Sequence, residues 1–417
     1  MMPALRRRTV PIVALTVALI AGCGPPPSAP PPLNSASSNA IRDLTPSFEG
    51  AVTLPPPEMG GNGPGSLVSV DRFDGNAELD EVDATAFRVV YRSTSEIGEP
   101  TQVSGLVAIP AGPPPKGGWP VVSFGHGTSG VLNRCAPTMY ENLLGNAPMV
   151  AALVQNGFVV AMTDYEGLGV PGFTHPYLDS RVFGRNMIDA VRAARKIDPR
   201  TGLRWAAYGV SLGGMAAWAA ADQAGSYGAG LTLVGTAALV PVADMTSLAD
   251  AAASGSLTRE QMPLLAFALQ GMAWSHPDFA LSDYVSGYTA KHWDELLDCT
   301  PADPSRYAGV VDGMQASDLR PATPQAAARL RELLRQMALP QHPATGPLLV
   351  QFGTVDPLVN DEWTKKAIGN ACAQGDVVDF EERIGEGHAD LDSSRSLPWV
   401  KARFDGQRPF NACAGQR

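Results

Sequence analysis

Apolar and polar positions divide the chain into two kinds of strand. Phe87, Val89 and Tyr91 share one side of an alternating run, and a second alternating run spans Thr101 to Ile109. Period-two patterning predicts strands with one buried face, and two such runs in succession predict an antiparallel opening to a sheet. The pattern then changes. Pro120–Phe124, Phe158–Met162, Leu231–Val234 and Leu348–Phe352 are short, nearly unbroken apolar runs, as expected of strands covered on both faces. Leu203–Tyr208 and Val377–Ile384 also read as strands, and helical stretches fall at about 149–156, 182–197 and 212–223. Alternation of this kind predicts a mostly parallel sheet with helices on both faces. In such sheets the chemistry belongs at the carboxyl ends of the strands.

The regularity breaks between about 237 and 345. No good strand appears there, and Met262, Leu265, Leu269 and Met272 follow one helical face, with Trp274, Phe279, Tyr284 and Tyr288 adding aromatics. Taken singly, each of these reads as core packing. Taken together, the segment sits between two core strands and must bulge from the sheet's carboxyl edge. The expectation is an inserted, mostly helical cap.

The amino terminus reads as an address. Arg6, Arg7 and Arg8 precede an apolar stretch from Val10 to Ala21, too short for the roughly 20 residues that span a bilayer. It ends in Leu19-Ile20-Ala21-Gly22-Cys23, which resembles a bacterial lipobox. Residues 1–22 are therefore expected to be a lipoprotein signal peptide, with lipid attached at Cys23. A Pro- and Ser-rich tether over 23–48 follows, extended because proline removes donors and fixes the backbone. The implied location is the outer face of a bacterial membrane, or secretion.

From about residue 70 to 417 the chain is long enough for one domain with an insertion, and a monomer is expected. The full chain is 45% hydrophobic and 17% charged, with net charge −10 and no basic cluster beyond the amino-terminal arginines, which argues against nucleic acid as a partner. Beyond Cys23 stand Cys135, Cys299, Cys372 and Cys413. Four cysteines in an exported protein predict two disulfides, among three connectivities. No Cys-x-x-Cys or His-Glu-x-x-His occurs, so no metal site and no cofactor is expected.

Ser211 carries the candidate chemistry. It lies in Gly209-Val210-Ser211-Leu212-Gly213-Gly214, after a strand run and before an Ala-rich helical run. With 43 glycines in 417 residues, a Gly-x-Ser-x-Gly match alone is weak. The strand-turn-helix context gives it meaning: this is a nucleophile elbow, in which glycines let strand and helix pass closely. A serine hydroxyl needs a histidine to take its proton and an acid to orient that histidine. His175, His276 and His342 precede proline, His292 lies in the cap, and His126 follows a strand in Gly125-His126-Gly127-Thr128. His388, in Gly387-His388-Ala389-Asp390 after a strand, remains as the base. Asp356 follows the Leu348–Phe352 run and is the expected acid, while Asp390 and Asp392 are expected to cap the next helix. The oxyanion donors are expected to be the backbone N–H groups of Leu212 and Thr128. The Thr128 hydroxyl has two readings, a further donor or a turn-stabilising bond.

So assembled, the chain resembles the secretory lipase family of α/β-hydrolases, whose best-known type is the yeast lipase A, over about 120–413. The resemblance rests on His126-Gly127-Thr128 with Cys135-Ala136-Pro137, Thr163-Asp164-Tyr165-Glu166-Gly167-Leu168-Gly169, and His175-Pro176-Tyr177. Arg192-Ala193-Ala194-Arg195, the elbow, Gly353–Val359 and Gly387-His388 complete it. It implies an α/β-hydrolase fold, a cap that shapes an apolar acyl pocket, and an acyl-ester or lipid substrate. It further implies disulfides Cys135–Cys299 and Cys372–Cys413, with Asp164 and Tyr165 supporting the site. Val210 and Leu212 depart from the pattern; a polar glutamine is familiar after the nucleophile. Two rival readings stand beside this one. An exopeptidase on the same fold would want a carboxylate cluster or an arginine in its pocket. A non-catalytic, lipid-binding surface lipoprotein would carry a decayed site.

Overall fold

The computed structural model describes residues 54–299 and 304–415. The signal peptide and tether read from residues 1–48, Cys23 included, lie outside the described residues. Nine strands form one sheet: β1 (Leu67–Arg72), β2 (Thr85–Thr94), β3 (Pro100–Ile109), β4 (Trp119–Gly125), β5 (Val159–Thr163), β6 (Thr201–Val210), β7 (Thr232–Leu239), β8 (Leu348–Gly353) and β9 (Val378–Arg383). Their spatial order is β1-β2-β3-β5-β4-β6-β7-β8-β9. Pairing is antiparallel from β1 through β3 to β5 and parallel from β5 to β9.

The helices follow in chain order as α1 (Ala77–Glu81), α2 (Ala147–Gln155), α3 (Ser180–Ile197) and α4 (Leu212–Tyr227). Next come α5 (Leu248–Ser254), α6 (Gln261–Ser275), α7 (Gly287–Lys291), α8 (Trp293–Leu296), α9 (Pro304–Gly313) and α10 (Pro324–Met337), all between β7 and β8. The last two are α11 (Asp361–Gln374) and α12 (Ser396–Phe404). Successive strand residues point to opposite faces, so one strand feeds two cores. Val121, Trp205 and Ala207 join α3 and α4 on one face. Val122, Phe124, Ala206 and Tyr208 join α2 and α12 on the other. This is the α/β-hydrolase arrangement.

Helix α4 is buried from Leu212 to Asp222, and its Gly and Ala residues let it lie close to the sheet. Helix α3 starts where Asp179 accepts the N–H groups of Arg181 and Val182, a side-chain cap at its exposed donors. Two boundaries differ from the sequence reading. Strand β1 starts at Leu67, upstream of the domain boundary read at 70; it is a short edge strand whose side chains after Leu67 are exposed or only half-buried, so its alternation is faint. Strand β7 runs on to Leu239, past the start of the insertion read at 237. Gly235, Ala237 and Ala238 carry little strand propensity, and burial between β6 and β8 overrides it.

Candidate active site

Strand register brings the candidate residues to one edge. Gly125 at the end of β4 faces Gly209 of β6, and Val210 faces Leu239 of β7. Leu239 faces Gln351 of β8, and Gly353 faces Arg383 of β9. Whatever follows each of these strand ends therefore emerges at the carboxyl edge: His126–Thr128, Ser211, the Asp356 loop and the His388 loop.

Ser211 sits between β6 and α4 with φ 59° and ψ −118°, a conformation that L-residues rarely adopt. Such strain costs about 1–3 kcal/mol and persists only where surroundings impose it. Here Ser211 N donates to Leu239 O at 2.8 Å, while Ser211 O accepts from Met215 N at 3.1 Å. Glycine is obligatory around it. A Cβ on Gly209 would collide with Gly213 O, one on Gly213 with Gly125 O, and one on Gly214 would lie 2.8 Å from Leu239 O.

The Ser211 hydroxyl lies 2.8 Å from His388 Nε2. On the other side of the ring, His388 Nδ1 lies 2.7 Å from Asp356 Oδ2. Asp356 Oδ1 accepts the N–H groups of Leu358 and Val359 at 2.8 and 2.9 Å. Both carboxylate oxygens are thus committed, and the side chain is only 2% exposed. A neutral imidazole whose Nδ1–H is held by a carboxylate must present an Nε2 lone pair to the serine.

Asp390 braces the histidine loop. Its Oδ1 accepts Gly387 N at 2.6 Å, and Asp392 Oδ1 accepts Ser394 N at 2.9 Å. Neither caps the following helix, contrary to the sequence expectation: α12 begins at Ser396, with Arg395 at the cap position making no side-chain capping bond. The turns between 388 and 396 use the aspartates first.

The loop after β4 lies against the elbow, with a Cβ on Gly127 falling 3.8 Å from Ser211 Cβ. The backbone N–H groups of Leu212 and Thr128 donate to no other backbone carbonyl among the described residues. His126 is fully buried, and burial holds it below the usual imidazole range despite the nearby Asp164 carboxylate. Its Nδ1–H donates to Gly127 O at 2.6 Å. That carbonyl belongs to the same peptide as the Thr128 N–H, so the bond fixes which way that N–H points. Tyr165 donates to His126 O at 3.0 Å. Asp164 accepts from Ser104 Oγ at 2.6 Å, from Thr138 N at 3.1 Å, and from the Thr138 hydroxyl. Both stand behind the loop rather than at Ser211. One contact escaped the sequence reading: Tyr177 OH lies 2.7 Å from Thr128 Oγ1. No spacing rule joins two loops that far apart.

The segment between β7 and β8 reaches this edge. Thr258 Oγ1 donates to Pro357 O at 2.8 Å, and Gln261 Nε2 to Leu358 O at 3.3 Å, beside Asp356. Phe267 of α6 meets the Tyr177 ring edge-on at 5.7 Å. Cys135 is bonded to Cys299, which fastens the loop after β4 to the inserted segment. Cys372 is bonded to Cys413, which fastens the chain's end to α11. Crosslinks spanning 164 and 41 residues contribute on the order of 4–5 kcal/mol each in the chain-entropy account.

A family model described as "Secretory lipase" matches residues 142–412. A Mycobacterium tuberculosis protein named "Probable inactive lipase" is 26% identical over 347 residues, covering 78% of this chain and 74% of its own. "Lipase 2" of Candida albicans is 26% identical over 292 residues, covering 64% of this chain and 59% of its own. Among solved structures, Candida antarctica lipase A in its closed state superposes with TM-score 0.68 at 18% identity, covering 87% of this chain and 89% of that one. The rice cell wall degrading esterase LipA of Xanthomonas oryzae gives TM-score 0.66 at 20% identity, covering 83% and 100%. At such identities the superpositions speak for the fold alone. With the family model spanning well over half of its length, the chain belongs to the secretory lipase family, a family of lipase-type hydrolases.

Proposed function

We propose that this protein is an exported carboxylester hydrolase in which Ser211 attacks the ester carbonyl. The observation that carries the reading is the continuous relay Asp356–His388–Ser211, with bonds of 2.7 and 2.8 Å at the sheet's carboxyl edge. As the Ser211 Oγ–carbon bond forms, His388 Nε2 takes the hydroxyl proton, and Asp356 stabilises the resulting imidazolium. The carbonyl oxygen becomes an oxyanion at the amino end of α4, where the Leu212 and Thr128 N–H groups donate to it and the helix dipole favours negative charge. His388 then gives its proton to the departing alkoxide, leaving an acyl-Ser211 ester. Water, deprotonated by His388, reverses the sequence and releases the acid. Membership of the secretory lipase family supports an acyl ester as substrate. Lipid attached at Cys23 would hold the enzyme at the outer face of a bacterial membrane.

Ser211→Ala tests this. Hydrolysis of a short-chain p-nitrophenyl ester should fall by roughly 10³-fold or more, with the thermal melt unchanged; retained turnover refutes the assignment. A second reading, a non-catalytic lipid-binding lipoprotein, is favoured by the "inactive" in the name of the mycobacterial relative. Covalent labelling of Ser211 by a fluorophosphonate separates the two, since a decayed site leaves the serine unlabelled.

A further inference from the structure

We infer that Tyr177 is a positioning residue that aims the Thr128 hydroxyl proton at the oxyanion, making that hydroxyl a third donor beside the two backbone N–H groups. The inference rests on the hydrolase reading above and extends it. Tyr177 is fully buried whereas Thr128 is exposed at the edge, and their hydroxyl oxygens lie 2.7 Å apart. One of the two must donate. A phenol proton enclosed by protein has to find an acceptor or cost about 1–3 kcal/mol, and Thr128 Oγ1 is the partner its oxygen meets. Thr128, exposed at the edge, can give its own proton to water or to substrate. Tyr177 is therefore the donor and Thr128 Oγ1 the acceptor, which leaves the threonine proton directed away from Tyr177. Burial pushes the Tyr177 phenol up, well beyond any working pH, so it stays a donor.

The phenol is held from the cap side. Gly271 lies inside α6, where a Cβ would come 2.8 Å from Tyr177 N and 3.1 Å from Tyr177 Cβ. Phe267, one turn earlier on the same helix, contacts the Tyr177 ring at its edge. Within the loop, Tyr177 N donates to His175 O at 2.9 Å. Helix α6 thus fixes Tyr177, Tyr177 fixes the Thr128 hydroxyl, and the cap gains a direct hold on transition-state charge.

The test is a double-mutant cycle on ester hydrolysis with Tyr177→Phe and Thr128→Val. Each single variant should lower kcat about 10²-fold with KM unchanged, as for loss of one oxyanion donor. Tyr177→Phe in the Thr128→Val background should cost nothing more, and Thr128→Ser should keep most of the activity. Unchanged kcat in Tyr177→Phe, or losses that multiply in the double variant, overturns the inference. Should Tyr177→Phe fail to fold, Thr128→Val against Thr128→Ser still decides: equal activities sink it. Throughout, fluorophosphonate labelling of Ser211 in the unaltered protein tests the underlying hydrolase reading separately.

Discussion

Asp356 serves two neighbours at once, and an isosteric change separates them. In Asp356→Asn the amide oxygen can still accept from Leu358 N and Val359 N, so the loop should keep its shape. The amide NH₂ would then face His388 Nδ1, which must become an acceptor, leaving the proton on Nε2. An Nε2–H cannot take the proton of Ser211. We expect kcat to fall on the order of 10⁴-fold with a melting temperature within about 2 °C of the unaltered protein; more than a tenth of the activity remaining would argue against the proton relay. That Ser211, Asp356 and His388 should meet was legible because each follows a recognisable strand, and strand ends share an edge. Thr128 was legible for the same reason. Tyr177 was not: its partner is set by how two loops and α6 pack, which leaves no periodic trace. The bracing by Asp390 was hidden for a different reason, since an aspartate before a helix has two local uses and the sequence does not rank them.

At the scale of elements, the elbow depends on close backbone approach, and glycines in helices should respond according to what surrounds them. Gly213, in the first turn of α4, has no room for a Cβ beside Gly125 O. Gly369, inside α11, has nothing within 4 Å and is exposed. Gly213→Ala must separate α4 from β4 and should destabilise by about 3 kcal/mol or more, in the range of overpacked cores. Gly369→Ala should stabilise by up to about 1 kcal/mol by removing backbone entropy from the unfolded chain. Urea unfolding of both variants checks the pair, and a similar sign of change in both would contradict it. The long helices and the doubly covered strands were readable because burial on a fixed period leaves an apolar pattern. The faint elements are β1, a half-exposed edge strand, and the Gly- and Ala-rich end of β7, where tertiary packing overrides propensity.

Across the whole molecule, several buried carboxyl groups hold protons more tightly than the unfolded chain would, and this gives stability a definite pH slope. Burial pushes Glu166 up to about 7, Asp189 to about 6 and Asp222 to about 7. Asp222 is the most telling, because it joins distant parts of the chain. It lies on α4, the helix that follows Ser211, and its Oδ2 accepts Gln341 N at 2.8 Å and His342 N at 3.3 Å in the return from the inserted segment to β8. Its Oδ1 is buried without a partner among the described residues, and the charge of Asp376, which holds Ala344 N in the same return loop, adds to the upward push. A folded-state value above the ordinary 3.8 means that the folded form binds the proton more tightly. Below about pH 4 both states are protonated and no penalty exists. Between about pH 4 and 7 the unfolded chain ionises first, so stability falls as pH rises, and above 7 the full penalty remains. Linkage sets its upper bound at about 4 kcal/mol. Salt-bridged Asp244, held low by Lys366 against its own burial, slopes the other way, so the difference between variant and unaltered protein is the quantity to follow. Asp222→Asn keeps an acceptor for the two N–H groups and removes the titration, so its stability relative to the unaltered protein should rise steadily from pH 4 to pH 7 and then level off. Asp376→Asn should shift that rise to lower pH by relieving the repulsion. Parallel curves of melting temperature against pH for Asp222→Asn and the unaltered protein would mean that the carboxyl already titrates like an exposed one, and that the return loop before β8 is not held by a protonated acid.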